Sequence, residues 1–276
     1  MSVAPVLFPR YWWGVAGDDL VAPTISVVDL IQQHVLSLDI AALVGTLVGH
    51  RSPLISVGGY QRHTGKTTLL NALLGFASAD TTFVVTKGNA ERFEFLDASP
   101  PERTCVLVGE FSDHMPRYLW GQRAARVVRL VEQGYTFAGT MHAHSVDDLV
   151  EQFVAAPVSL ERAELARTGA LLMFQDFRET PAGVQRRVTG VARLYPASRG
   201  PGGLGAKSLA VWDPRDDTWN LFSSDETWDE LARWAGLSAA ALRSQTEARR
   251  EALVGLVESG IEGYDRVRAA LVEFPA

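Results

Sequence analysis

Gly65, Lys66 and Thr67 are the residues whose types and order point most directly to chemistry. They follow a short apolar run, residues 54–57, and precede a leucine-rich segment, a pattern that indicates a strand, a loop and a helix start. A helix start has unpaired backbone N–H groups and a partial positive charge, so it attracts anions. The sequence therefore predicts a P-loop that binds a nucleoside triphosphate, with Lys66 on the β- and γ-phosphates and the Thr67 hydroxyl on Mg²⁺.

The predicted loop differs at one position from the usual P-loop, which has a glycine five residues before the glycine of Gly-Lys-Thr. Tyr60 occupies that position, and the nearest glycines are Gly58 and Gly59. A side chain costs little where φ is negative, so Tyr60 is compatible with a cradle that begins at Gly59. Arg62 and His63, inside the loop, are candidates for further positive contacts with the phosphates. The expected phosphate-binding residues are Gly59, Gly65, Lys66, Thr67 and Thr68. The alternative is a helix start without a ligand.

Glu110 is the candidate acid, because it follows a second apolar run at residues 105–108. In P-loop folds such a strand lies beside the P-loop strand and presents a carboxylate at its C-terminal edge. That carboxylate can hold Mg²⁺ or polarise the attacking water. The alternative is a surface glutamate at the end of a strand.

His142 and His144 follow a third strand pattern, residues 136–140. Two histidines at this spacing point the same way in an extended chain and are candidate zinc ligands, but no third ligand stands near them. A polar sensor that hydrogen-bonds the γ-phosphate or the water fits better. Histidines satisfied within the structure are the remaining alternative.

The elements that must position these residues alternate between strand and helix up to about residue 150, which is typical of a parallel sheet with crossover helices. Beyond about residue 170, four strand patterns separated by turns predict an antiparallel extension of the sheet. From residue 223 the pattern is helical. Tyr11, Trp12 and Trp13 lie in a proline-flanked N-terminal arm, which either packs on the body or binds a partner.

Composition narrows the class of protein. The 276 residues are 47% hydrophobic, enough for a buried core in one or two domains. The net charge of −6 disfavours a nucleic-acid-binding surface. Cys105 is the only cysteine, so neither a disulfide framework nor a cysteine zinc site is expected, which suits a reducing cytoplasm. No stretch is long and apolar enough for a membrane span or a signal peptide.

Together these motifs resemble the secretion and pilus ATPase superfamily, the motors of type II and type IV secretion, type IV pili and archaeal flagella. Residues 108–110, Val-Gly-Glu, resemble its Walker B motif, which ends in Gly-Glu. Residues 139–143, Gly-Thr-Met-His-Ala, resemble its His box. The resemblance covers roughly residues 25–276. Only about 50 residues precede the loop, so the full N-terminal domain of such motors is expected to be absent.

The resemblance implies an ATPase that uses ATP and Mg²⁺, with Lys66 and Thr67 as phosphate and Mg²⁺ ligands. Glu110 would be the catalytic glutamate and a second Mg²⁺ ligand, and His142 the histidine of the His box. His144 has no counterpart in the motif. The family further implies a ring, usually a hexamer, in the cytoplasm at the inner face of the membrane. Its partner would be a membrane platform protein. No nucleic-acid partner and no membrane span are expected for this chain.

The expected fold class is α/β, a RecA-like P-loop NTPase core with an antiparallel sheet extension and a C-terminal helical subdomain. Three regions are expected. They are an N-terminal arm with short helices (1–50), the P-loop core with its β extension (51–222) and the helical subdomain (223–276).

Departures from the family pattern keep more than one function open. Besides Tyr60, residues 85–88 lack the family's acidic box, and the interval from Lys66 to Glu110 contains only Arg92 and Arg103. Arginines that neutralise developing charge contribute several orders of magnitude to phosphoryl transfer, so slow hydrolysis is expected. The main hypothesis is an ATPase motor subunit. The alternatives are a nucleotide-binding module with little or no hydrolysis, acting as a structural or regulatory partner, and another P-loop enzyme such as a small kinase or GTPase.

Overall fold

The computed structural model describes residues 24–60, 64–181 and 183–272. Two predictions therefore concern segments outside the described residues: the aromatic arm at residues 11–13, and the positive contacts from Arg62 and His63 in the loop.

The described residues form one mixed sheet with helices on both faces. The strands are β1 (Leu54–Gly58), β2 (Thr82–Val85), β3 (Thr104–Val108), β4 (Thr136–His142), β5 (Leu171–Thr180), β6 (Gly183–Pro196), β7 (Leu204–Asp213) and β8 (Thr218–Leu221). The α-helices are α1 (Val27–Gln32), α2 (Leu38–Gly49), α3 (Lys66–Leu74), α4 (Gln122–Arg129), α5 (Val146–Val154), α6 (Arg162–Thr168), α7 (Asp225–Ala235), α8 (Ala239–Glu258) and α9 (Tyr264–Leu271).

The sheet has the strand order β2-β3-β4-β1-β5-β6-β7-β8. The first five strands pair in parallel, whereas β5 to β8 pair antiparallel. The crossover from β4 to β5 passes over β1, so β1 lies at the switch point where ligands bind in open α/β sheets. The order 2-3-4-1-5 around the P-loop strand is that of a RecA-like core. The expected α/β class with an antiparallel extension is therefore confirmed.

Two apolar cores cover the two faces of the sheet. One lies beneath α1, α2, α3 and α8, and α2 is buried along almost its whole length, from Ile40 to Gly49. The other lies beneath α4, α5 and α6. Ser37 and Ser145 begin α2 and α5 by accepting hydrogen bonds from backbone N–H groups of the first turn. The boundaries expected at residues 50 and 222 divide helices that share the first core, and they stay a prediction.

The sequence pattern predicts a helix from about Tyr118 to Gln133, but in the structure this helix, α4, begins four residues later, at Gln122. Residues 110–120 instead form a loop that returns to the end of β3. Leu119 donates its N–H to the carbonyl of Glu110, and its own carbonyl accepts from Ser112. Gly121, with φ +63°, turns the chain into α4. The short helix α6 carried too weak a periodic signal to be predicted.

Within the described residues, no helix has both the length and the apolar character that crossing a bilayer requires.

Cys105 lies on β3, between β2 and β4, and its thiol is buried. Burial raises the pKa of this thiol to about 12, since a thiolate would lose its hydration there. The side chain therefore behaves as a small apolar core residue.

A polar contact fixes the turn between β7 and β8 to β6. The guanidinium of Arg187 on β6 donates two hydrogen bonds of 2.7 Å to the carboxylate of Asp217. The indole N–H of Trp212 donates to the same carboxylate at 2.9 Å. These hydrogen bonds lower the pKa of Asp217 from 3.8 to about 2. The hydrogen bonds from Arg187 have the largest effect.

Replacing Asp217 with asparagine tests this contact, because asparagine also tolerates the positive φ of 54° at this position. Asp217 has a lowered pKa in the folded state, so its stabilisation is complete above about pH 4 and is lost as the pH falls towards 2. Since the Asp217 side chain is 35% exposed, screening by water limits the expected loss at pH 7 to about 1 kcal/mol. Urea unfolding at pH 7, 4 and 2.5 measures it. A wild-type advantage that does not shrink at pH 2.5 would contradict this account.

Candidate functional site

The register of the parallel strands brings the predicted site residues to one edge of the sheet. Gly58, the last residue of β1, pairs with His142, the last residue of β4. Val108 at the end of β3 pairs with Gly139 of β4, and Glu110 follows two residues later. Because parallel strands share their carboxyl ends, Glu110 and His142 lie beside the loop that leads into α3.

The start of α3 has the features that favour an anion in other helices. Gly65 precedes the helix with φ +96°, a conformation that side chains with a Cβ rarely adopt. No side chain of the described residues caps this helix, and its first turn has no acidic residue. Lys66, Thr67 and Thr68 form the first turn, so their backbone N–H groups and the helix dipole face the space in front of the loop.

Lys66, Glu110 and His142 contact one another at the end of this loop. The Lys66 ammonium lies 2.9 Å from Nε2 of His142 and 3.6 Å from Oε2 of Glu110. The same oxygen is 3.6 Å from Nε2 of His142. Burial lowers the pKa of Lys66, and the charge of Glu110 partly offsets that effect. The three side chains are nearly buried, at 10%, 10% and 17% exposure.

The hydrogen bonds of His142 define its tautomer. Nδ1 lies 2.6 Å from the carbonyl oxygen of Gly59, which can only accept, so Nδ1 carries the proton. Nε2 then accepts from the Lys66 ammonium. Gly59, predicted as part of the phosphate cradle, thus holds His142 through its carbonyl. Nε2 and the Glu110 carboxylate point together towards Lys66.

Tyr60 covers the other side of His142. The two rings are stacked with centroids 5.9 Å apart and planes 11° from parallel. Gln152 of α5 donates to the Tyr60 hydroxyl at 3.3 Å and to the carbonyl of His142 at 2.9 Å. Tyr60 therefore joins the loop to β4 and α5.

His144 does not reach the Lys66 cluster. Its backbone N–H donates to Asp148, and its ring lies 4.8 Å from that of Tyr60, outside the cleft that contains Lys66. Within residues 24–60, 64–181 and 183–272, no group of three His, Cys, Asp or Glu side chains is placed to hold a metal ion. Among these residues, the zinc alternative for His142 and His144 has no third ligand.

A cleft of about 1480 Å³ opens in front of α3. Residues 64–69, Glu110 and His142 line one wall, and residues 32–35 and 184–187 line the wall opposite. The hairpin of β5 and β6 places Arg186 against the phosphate loop. A Cβ built on Gly65 would lie 3.1 Å from Cδ of Arg186 and 3.5 Å from Oε1 of Gln175.

Sequence reasoning missed Arg186 and Gln175. Gln175 is buried and donates to the Ser56 hydroxyl at 2.9 Å, so it ties β5 to β1 beneath the loop. The signal available in the sequence was alternation along the second strand of a hairpin, which separates Arg186 and Arg187 onto opposite faces. Nothing local showed which of the two arginines faced the loop.

The donors in the cleft fit Mg²⁺. Thr67 offers a hydroxyl and Glu110 a carboxylate, both hard oxygen ligands that line the cleft. Mg²⁺ is commonly held by one or two protein oxygens together with substrate phosphates and water, so this sparse donor set suits it.

The strand order around β1 and the uncapped Gly-Lys-Thr helix start define the class, a RecA-like P-loop fold. No protein-family model matches the chain, and no curated protein sequence matches it.

Solved structures with a similar arrangement include the ATPase DotB of Legionella pneumophila, at TM-score 0.40 and 14% identity over 84% of this chain and 58% of that one. The DotB ATPase of Yersinia pseudotuberculosis has TM-score 0.39 and 13% identity, over 88% and 62% of the two chains. The VirB11 ATPase from the Brucella suis type IV secretion system, in complex with sulphate, has TM-score 0.35 and 15% identity, over 68% and 56%. This chain spans less than two thirds of each.

The contact of Tyr60 with His142 is testable by chemical modification. Tyr60→Ala removes the ring that covers His142, so diethylpyrocarbonate should modify His142 severalfold faster than in the wild type. Tyr60→Phe keeps the ring and should react at the wild-type rate. Mass spectrometry of peptides measures the reaction, with the exposed His114 as internal reference. Equal His142 rates in all three proteins would show that Tyr60 does not shield it.

Proposed function

We propose that the chain binds Mg²⁺-ATP in this cleft and hydrolyses it. The observation that carries the proposal is the meeting of Lys66, Glu110 and His142 beside an uncapped helix start. The amides of α3 would bind phosphate oxygens, and the Lys66 ammonium would exchange its contact with Glu110 for the β- and γ-phosphates. That exchange frees the Glu110 carboxylate for a water molecule.

The residues then have distinct roles in hydrolysis. A water molecule attacks the γ-phosphorus, and Glu110 accepts the proton that the water loses. The bond from the γ-phosphorus to the bridging oxygen breaks, and its electron pair leaves with ADP. His142, held by Gly59 in the tautomer whose Nε2 accepts, would accept a hydrogen bond from the attacking water. Thr67 and Glu110 would hold Mg²⁺, which would supply positive charge to the phosphate oxygens.

The buried position of Lys66 favours a polyanionic ligand. Burial penalises the ammonium charge, and one carboxylate compensates for it only in part, as the lowered pKa indicates. Phosphates delivered to the same place would stabilise the charged ammonium further. Binding of ATP should therefore raise the pKa of Lys66.

For the intact protein, we propose a motor subunit of the secretion or pilus type. The support is the resemblance of residues 108–110 and 139–143 to the superfamily's motifs, together with the cleft that Glu110 and His142 line. Such a subunit would assemble with copies of itself into a ring, in the cytoplasm at the inner face of a membrane. Its partner there would be a membrane platform protein.

One structural observation favours a second candidate, a nucleotide-binding module with little turnover. Glu110, Lys66 and His142 satisfy one another, and Tyr60 packs over His142 where the usual P-loop has glycine and no ring. A ligand must displace these contacts before a water molecule can reach Glu110. Measured turnover separates the two candidates.

The decisive variants are Lys66→Ala and Glu110→Gln. Lys66→Ala should abolish ATP binding and turnover together, since it removes the charge at the phosphates. Glu110→Gln should keep ATP binding but lower phosphate release about 100-fold or more, because the proton acceptor is lost. Glu94→Gln is the matched control, since Glu94 is exposed and pairs with Lys87 outside the cleft. ATP binding without phosphate release in the wild type would exclude the ATPase and leave the binding module.

Ring assembly is tested by protein concentration. If sites are completed between subunits, phosphate release per subunit should rise with concentration, and ATP should shift the sedimentation coefficient upward. A monomer with constant specific activity over the whole range would contradict the ring.

A further inference from the structure

We propose that Arg186 binds the α- and β-phosphates of the nucleotide and neutralises the charge of the departing ADP. This inference rests on the proposed nucleotide site and assigns one more residue to it. Arg186 lies on β6, opposite Phe177 of β5, and is half-buried. If Gly65 carried a Cβ, that atom would lie 3.1 Å from Cδ and 3.5 Å from Nε of Arg186. The stem of the arginine side chain therefore rests on the phosphate loop.

The topology decides which part of the phosphate chain Arg186 would contact. Glu110 and His142 follow β3 and β4, on one side of β1, whereas β5 and β6 lie on the other side. The attacked γ-phosphate must lie beside Glu110. The rest of the phosphate chain crosses the start of α3 towards β5 and β6. An arginine on β6 therefore meets the α- and β-phosphates.

Within the described part of the chain, three other cations line the same cleft, and each has a contact of its own. Arg187 donates two hydrogen bonds to Asp217 and fixes the β7–β8 turn. The guanidinium of Arg117 lies over the ring of Tyr118, 5.6 Å from its centroid. Lys66 lies on the γ-phosphate side, against Glu110. Arg186 differs from them in its position, because its stem rests on the phosphate loop from the β6 side.

The chemistry of arginine suits this position. A guanidinium is a planar fork that binds two phosphate oxygens at once and stays charged at any physiological pH. When the γ-phosphoryl group leaves, negative charge grows on the ADP that remains. A cation fixed beside that group lowers the barrier, as arginines do in other phosphoryl transfers. The glycine at position 65 allows this placement, because a Cβ there would crowd the Arg186 stem.

Arg186→Gln tests the assignment. Because ADP retains both phosphates in question, ADP affinity should fall about tenfold, the effect of losing one charge-assisted hydrogen bond. ATP affinity, measured in a Glu110→Gln background to suppress turnover, should fall by a similar factor. The turnover number should also decrease in the Arg186→Gln variant. Arg186→Lys, which keeps the charge but not the planar fork, should have nucleotide affinities between those of the wild type and Arg186→Gln.

Arg178→Gln is the matched control. Arg178 is an exposed arginine of the same hairpin, bonded to Gln185 and outside the cleft, so its replacement should change neither affinity. Isothermal titration calorimetry gives both dissociation constants, and circular dichroism verifies that each variant is folded.

The outcomes separate the two proposals. Unchanged ADP affinity in folded Arg186→Gln would overturn the assignment, and a loss confined to ATP would do so as well, since it would place the guanidinium on the γ-phosphate. A wild type that binds ATP without hydrolysing it would refute the ATPase, while the ADP titration would still decide on Arg186. A wild type that binds neither nucleotide would refute both.

Discussion

The structure depends on the burial of one ammonium group, that of Lys66. A charge removed from water needs a partner, and here the partners come from the ends of two other strands. Glu110 and His142 meet Lys66 only if β3, β4 and β1 stop at the same level. A slip of one residue between β1 and β4 would turn His142 to the opposite face of the sheet. The contacts of Lys66 are therefore compatible with only this register of the parallel strands.

The two halves of the sheet divide the work. The parallel half supplies the residues for chemistry at its carboxyl edge. The antiparallel half extends β5 into a long hairpin that forms the opposite wall of the cleft. The contact between Arg187 and Asp217 holds this hairpin to the β7–β8 turn, so the wall is anchored within the sheet.

The sequence predicted what is decided locally. The buried strands, the Gly65 turn and the start of α3 follow from short apolar runs and from residue types with one clear role. The stacking of Tyr60 on His142 and the approach of Arg186 to Gly65 join residues about 80 to 120 positions apart, so they depend on sheet register, which no local pattern encodes. The prediction that α4 begins at Tyr118 was wrong for a similar reason. Leu119 is apolar and fits a helical period, but its backbone pairs with residues 110–112.

Cys105 makes the interior of the parallel sheet observable. Its thiol, near the start of β3, has a pKa raised to about 12 by burial and is shielded from solvent. An alkylating reagent can therefore reach it only when the core packed on this face of the sheet opens. As this is the single cysteine of the chain, the rate of alkylation reports how often the core opens around the strand that leads to Glu110. The alkylation rate of Cys105, measured with and without a ligand at the edge of the sheet, therefore reports whether binding makes the core open less often.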